Sequence, residues 1–132
     1  MRRRARLILI WSALAVYVCL LLTLTHMPRP PGMFEGQNDK NLHFLAYFVL
    51  ASLMYVAAAI TFPRRNYLVL IVLLIGIVFG AIDETTQTYF GRHSDLLDFR
   101  ADVIGLITGI TPLAVLRYAI QRRERRPPAT QV

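Results

Sequence analysis

Residues 67–91 read YLVLIVLLIGIVFGAIDETTQTYFG. The first 16 of them, 67–82, carry no charge, which is slightly short of the roughly 20 residues a helix needs to cross the hydrocarbon of a bilayer. No Gly or Pro interrupts residues 83–89, so the helix continues through Asp83, Glu84 and Gln87 until Gly91 breaks it. A membrane helix that carries carboxylates near one end follows from this segment alone.

Three further apolar stretches flank it, at 7–24, 42–62 and 103–120. Pro28, Pro30, Pro31, Gly32 and Gly36 break the chain after the first, and Pro63-Arg64-Arg65-Asn66 forms a tight turn after the second. Hydrophobic residues make up 55% of the 132-residue chain and charged residues only 17%, which excludes a disordered protein. A soluble domain this small has too little interior to hide so much apolar surface. The expected architecture is an all-α, four-helix transmembrane bundle in one domain, with helices at about 7–25, 42–62, 67–89 and 98–120 and a basic tail at 121–132. The first stretch is longer than a signal-peptide core, and residues 23–27 offer no small-x-small cleavage site. Cys19 is the single cysteine, so no internal disulfide and no C-x-x-C metal or redox pattern exists.

The net charge of +7 is topological. Arg2, Arg3, Arg4, Arg6, Arg64, Arg65, Arg117, Arg122, Arg123, Arg125 and Arg126 fall on one side of the four spans, and only Arg29, Lys40, Arg92 and Arg100 on the other. The positive-inside rule then puts both termini in the cytoplasm and makes this a multi-pass protein of the cell membrane. No aromatic residues interleave with the arginines for base stacking, so nucleic acid is not a partner.

Acidic residues run the other way. Glu35, Asp39, Asp83, Glu84, Asp95, Asp98 and Asp102 all lie on the outer side, and only Glu124 lies inside. Acids contribute little to orientation, so their clustering has another cause. Asp39, His43 and Tyr47 follow one another at four-residue spacing on one stripe of the second helix. Asp95, Asp98 and Asp102 line one face of the fourth if that helix begins before Asp95. By helical rise, Asp83 sits about 24 Å up a hydrocarbon core of about 30 Å, and Asp102 reaches a similar height. The pairs Gly76/Gly80 and Gly105/Gly109 are both G-x-x-x-G; run antiparallel, they bring Gly80 near Gly105 and point the carboxylates of the third and fourth helices at one another. An ionised carboxylate in a span costs about 2.5 to 3.5 kcal/mol, so these groups face a cavity, a cation or shared protons.

The motifs Asp39-Lys40-x-x-His43-Phe44-x-Ala46-Tyr47, Asp83-Glu84-x-x-Gln87 and Gly91-Arg92-x-x-Asp95-x-x-Asp98, with Gly105 beyond, resemble the VanZ-like membrane family over roughly residues 39–109. The resemblance implies a small multi-span envelope protein of a group named for resistance to the glycopeptide teicoplanin. Its functional positions carry over as Asp39, Lys40, His43, Glu84, Gln87, Arg92, Asp95 and Asp98. Where the family commonly has Asn, this chain has Asp102, which adds a negative charge.

Two function classes stay open. In one, His43, Asp83, Glu84 and Asp98 act as acid and base on an envelope lipid or cell-wall precursor, with Asp39, Lys40, Tyr47, Gln87, Arg92, Asp95 and Asp102 binding it. In the other, the same pocket holds a headgroup, precursor or glycopeptide without bond breaking and organises the envelope. Oxygen donors from acids and Gln87 favour Mg²⁺ or Ca²⁺ as a divalent cation. A small exporter is disfavoured, because such proteins place a carboxylate in the first helix and residues 7–25 contain none.

Overall fold

The computed structural model describes residues 3–27, 37–90 and 95–125, with side chains from residue 39 onward in the second of these stretches. Four helices run in the order α1 (Arg3–His26), α2 (Gln37–Thr61), α3 (Leu68–Gln87) and α4 (Leu96–Glu124), with a 3₁₀ turn, Thr88–Phe90, capping α3. All four are long and apolar enough to cross a membrane, and no strand occurs among the described residues. The protein is an all-α four-helix bundle.

Three of the helices extend past the apolar stretches that announce them. α1 begins at Arg3 rather than residue 7, α2 at Gln37 rather than 42, and α4 spans Leu96–Glu124 rather than 98–120. Arg, Gln and Glu are good helix formers, so the backbone continues winding where the side chains turn polar. α2 stops at Thr61 because Pro63 disfavours helical dihedrals at Phe62. Arg117 then fastens that turn to α4, donating from Nη2 to the carbonyls of Pro63 (2.8 Å) and Arg65 (2.9 Å).

Tyr47, Leu50, Ala51, Leu106 and Ile110 form the centre of the core, with Leu14 and Leu21 entering from α1. Outward-facing residues such as Val16, Leu70, Val78 and Val115 are exposed and apolar, as lipid-facing surfaces require. α1 docks on α2 through two side-chain hydrogen bonds: Trp11 Nε1 donates to Thr61 Oγ1 (3.1 Å), and the Tyr17 hydroxyl donates to the Ala46 carbonyl (2.8 Å).

The glycines do not meet as the two G-x-x-x-G pairs imply. α4 makes its most extensive interface with α2. A Cβ on Gly105 would fall on the Phe44 carbonyl oxygen, and one on Gly109 on the Phe48 carbonyl oxygen. The α3 glycines instead make room for side chains: a Cβ on Gly76 would lie 2.6 Å from Leu106 Cδ2, and one on Gly80 3.2 Å from Tyr47 Cε1. Small residues therefore do bring backbones together, but between α2 and α4, because α3 faces bulky neighbours where its own glycines lie.

These four positions separate in a substitution series. Gly105→Ala and Gly109→Ala meet backbone atoms that cannot rotate away, so each is expected to destabilise the bundle by about 1–3 kcal/mol, the usual cost of overpacking. Gly76→Ala meets only the ends of the Leu106 side chain, and the higher helix propensity of Ala, about 1 kcal/mol, offsets much of that contact. Thermal unfolding of the four variants in detergent checks the order, with Gly105 and Gly109 lowering the midpoint most.

Candidate functional site

Every helix brings polar residues to the same end of the bundle. α1 ends in Thr25 and His26; α2 begins with Asp39, Lys40 and His43; α3 ends in Asp83, Glu84 and Gln87; α4 opens with Asp95, Asp98 and Asp102. His43, Asp83, Glu84, Gln87, Asp98 and Asp102 are all buried. Asp39 and Asp98 also lie in the first turns of their helices, where the unpaired backbone N–H groups favour negative charge.

One half of this cluster centres on Asp83. Thr25 Oγ1 donates to its Oδ1 at 2.9 Å, while the Tyr47 hydroxyl (3.1 Å) and Gln87 Nε2 (3.3 Å) donate to its Oδ2. His26 Nδ1 stands 3.6 Å from the same carboxylate, and its Nε2 is 2.9 Å from Thr86 Oγ1. Three donors satisfy both oxygens, and Asp83 is only 1% exposed. Asp83 thus ties α1, α2 and α3 together. Tyr47 and Gln87, expected to bind substrate, both donate to this carboxylate, and Tyr47 is fully buried.

The other half centres on His43. Its Nδ1 lies 2.9 Å from Asp102 Oδ1, both residues being buried. A carboxylate only accepts, so Nδ1 carries the proton, and in the neutral ring Nε2 keeps a lone pair. That Nε2, Asp102 Oδ2 and Asp98 Oδ1 have no hydrogen-bond partner among the described residues. Glu84 accepts the backbone N–H of Asp95 and so anchors the start of α4 to the end of α3. The close approach of Gly105 to the Phe44 carbonyl sets the dyad: Phe44 adjoins His43, and Asp102 lies one turn before Gly105.

Asp95 departs from the expected helical face. α4 begins at Leu96, and Asp95 is its N-cap, with extended backbone (φ −122°, ψ 121°) and a side chain accepting from the Leu97 N–H at 2.9 Å. That bond, with help from Lys40, holds its carboxyl below the usual carboxylate range. An Asp at a helix N-terminus is stabler outside the helix, where its side chain replaces a missing backbone acceptor. Lys40 Nζ sits 3.4 Å from Asp95 Oδ2 and 3.8 Å from Asp98 Oδ1, at the rim of the buried acids. Arg100 is exposed, and Arg92 lies outside the described residues.

Sequence reasoning missed α1. Thr25 closes the first expected helix and His26 lies just beyond it, neither carrying an assigned role, yet they reach Asp83 and its neighbour Thr86. The signal was present in the register: adjacent polar residues at the outer end of the first span stand at the same level as the acids of the other three.

Two groups of potential ligands share His43. One donor atom from each of His43, Glu84 and Asp102 lies within 4.8 Å of the others, and the same holds for Asp39, His43 and Asp98. Both groups combine carboxylates with the His43 imidazole, and Gln87 Nε2 is engaged with Asp83 Oδ2.

No protein-family model matches the chain, and no solved structure matches it. An uncharacterized protein of Schizosaccharomyces pombe is similar to it, 29% identical over 95 residues, which covers 71% of this chain and 57% of the relative. The chain therefore spans somewhat more than half the length of that relative.

Proposed function

We propose that this protein is a VanZ-like multi-pass protein of the cell membrane, with both termini cytoplasmic, and that its polar end binds and modifies the headgroup of an envelope lipid or cell-wall precursor. The observation that carries the reading is the His43–Asp102 pair: a buried imidazole held through Nδ1 by a carboxylate, with its second nitrogen without a hydrogen-bond partner among the described residues. Buried polar groups with unused hydrogen-bonding capacity are costly, at about 1–3 kcal/mol each, and are kept where chemistry needs them. Their height near the end of membrane-spanning helices matches the level of lipid headgroups rather than acyl chains. Lys40 at the rim supplies a cation for a phosphate, provided it exchanges Asp95 and Asp98 for that anion. Linkage to glycopeptide resistance follows from the family resemblance if the headgroup is that of a cell-wall precursor.

The two halves of the cluster divide the labour in this scheme. Asp83, with its three donors, holds the helix ends in place and takes no part in the chemistry. His43 is the group on which the reaction centres, and Asp102 fixes which of its nitrogens is presented.

Two experiments test these statements. Lipid and cell-wall precursor profiles of cells carrying wild type, His43→Ala or Glu84→Gln are expected to differ in one headgroup class, with both variants resembling cells that lack the protein. Profiles identical across all four strains, with the variants present in the membrane at normal levels, would remove the proposed activity. For topology, a protease-sensitive tag at either terminus should be cut only after the cells are permeabilised; cleavage in intact cells would reverse the orientation.

A further inference from the structure

We propose that the end of the bundle opposite the acids holds the phosphate of an anionic phospholipid, in a cavity lined by Arg65, Arg117, Arg122 and Arg125. This is a second site, remote from His43, and it goes beyond the functional reading above.

The spacing of residues on α4 creates one wall. Arg117, Gln121 and Arg125 follow one another at four-residue intervals with Arg122 beside them, so they share a face of that helix. Arg65 and Asn66 enter from the turn between α2 and α3, and the enclosed space is about 470 Å³.

Positive charge is unopposed there. No acid lines the cavity, and none of its four guanidiniums has an ion pair among the described residues. Glu124, the one acid on this side of the spans, lies exposed outside it. The C-terminal end of α4 contributes only about half a negative charge, too little to offset four cations. An anion in the cavity relieves their mutual repulsion.

Two of the four guanidiniums are already held in place. Arg117 is half-buried, and its Nη2 donates to the carbonyls of Pro63 (2.8 Å) and Arg65 (2.9 Å), leaving Nε and Nη1 without a partner among the described residues. Arg65 lies over the Tyr67 ring, 5.7 Å from its centroid. Gln121 Nε2 donates to the Pro63 carbonyl at 3.2 Å and fixes the same wall. A planar fork of donors held this way suits the oxygens of a phosphate.

The remainder of the lining favours a lipid over a soluble phosphate. Tyr55, Val69 and Ala114 also line the cavity, and Ala114 lies about 12 Å along the α4 axis from Arg122 toward the middle of the span. The cavity therefore descends from guanidiniums to apolar side chains, as a headgroup gives way to acyl chains. A second cavity, of about 550 Å³ between α1, α2 and α3, shares Arg65 and is walled by apolar residues such as Met54, Ile71 and Phe79, so an acyl chain has room beside the headgroup. Tyr67 and Tyr118 are exposed at this level, where aromatic rings meet the interface. In the proposed topology this end faces the cytoplasmic leaflet, whose anionic lipids are drawn to basic pockets between membrane helices.

The test uses the full chain in detergent, freed of copurified lipid and mixed with phosphatidylglycerol or phosphatidylcholine of identical acyl chains; native mass spectrometry counts the lipid bound to each chain. One phosphatidylglycerol per chain is expected, held at least about fivefold more tightly than phosphatidylcholine, the contribution of a single arginine. Arg122→Gln/Arg125→Gln should weaken its binding by about fivefold for each arginine lost. Arg3→Gln/Arg4→Gln removes the same charge from α1, which lines none of the basic cavity, and should change binding by no more than about twofold at 0.15 M salt. Thermal unfolding shows whether each variant is folded, and Arg65→Gln replaces the α4 pair if that pair is not. Arg117 is left intact because it fastens the turn.

Equal affinity for the two lipids, equal losses in the α4 and α1 pairs, or displacement of the bound phosphatidylglycerol by excess inorganic phosphate would overturn the proposal, the last by reassigning the cavity to soluble phosphates. The measurement does not involve His43 or the cellular lipid profile, so it stands or falls apart from the headgroup activity at the other end.

Discussion

Charge cannot be left alone in an apolar surround, and that constraint organises the whole bundle. Seven of the eight acidic residues of the chain lie on one side of its four spans, and four of them are buried in the structure. Each buried carboxylate must be met by donors, a cation or a proton. The helix ends converge because the partners are spread over all four helices: Thr25 on α1, His43 and Tyr47 on α2, Gln87 on α3, and the Asp95 N–H leading into α4. Outside that end, the helices are held by apolar packing and a few hydrogen bonds such as Trp11 to Thr61.

Two carboxylates buried to the same depth end in different states. Asp83 is surrounded by polar side chains that donate to both its oxygens, so it behaves as a structural knot. Asp102 has one strong partner, His43, and a second oxygen without one among the described residues. The difference arises from neighbours. α1 and α2 supply the Thr25 and Tyr47 hydroxyls and α3 the Gln87 amide on the Asp83 side, whereas the Asp102 side is lined by acids and the imidazole itself. A saturated group has little to offer a ligand, and an undersaturated one costs stability until it finds one.

Glycine links the packing of the bundle to its chemistry. Gly105 and Gly109 let α4 approach the carbonyls of Phe44 and Phe48, and the first of these contacts lies one residue from His43 and one turn from Asp102. A side chain at Gly105 would separate α2 from α4 and stretch the 2.9 Å dyad with it. The site is thus held by backbone proximity, which is stiffer than any arrangement of side chains reaching across a wider gap.

Much of this was legible in the residues alone. The apolar stretches at 7–24, 42–62, 67–82 and 103–120 exceed what a chain of 132 residues can bury, so four membrane helices follow from length and solvation without knowledge of contacts. The gathering of acids at one end was equally visible, because helical rise converts position in a span into height. Only the tertiary structure decided partnership. Rotation of each helix about its axis is set by packing against its neighbours, and four helices that are apolar nearly all round carry little periodic signal to fix it. That is why the glycine pairs suggested α3 against α4 when α4 in fact lies closest to α2, why Thr25 and His26 went unnoticed, and why His43 could be placed at the right height but not against Asp102.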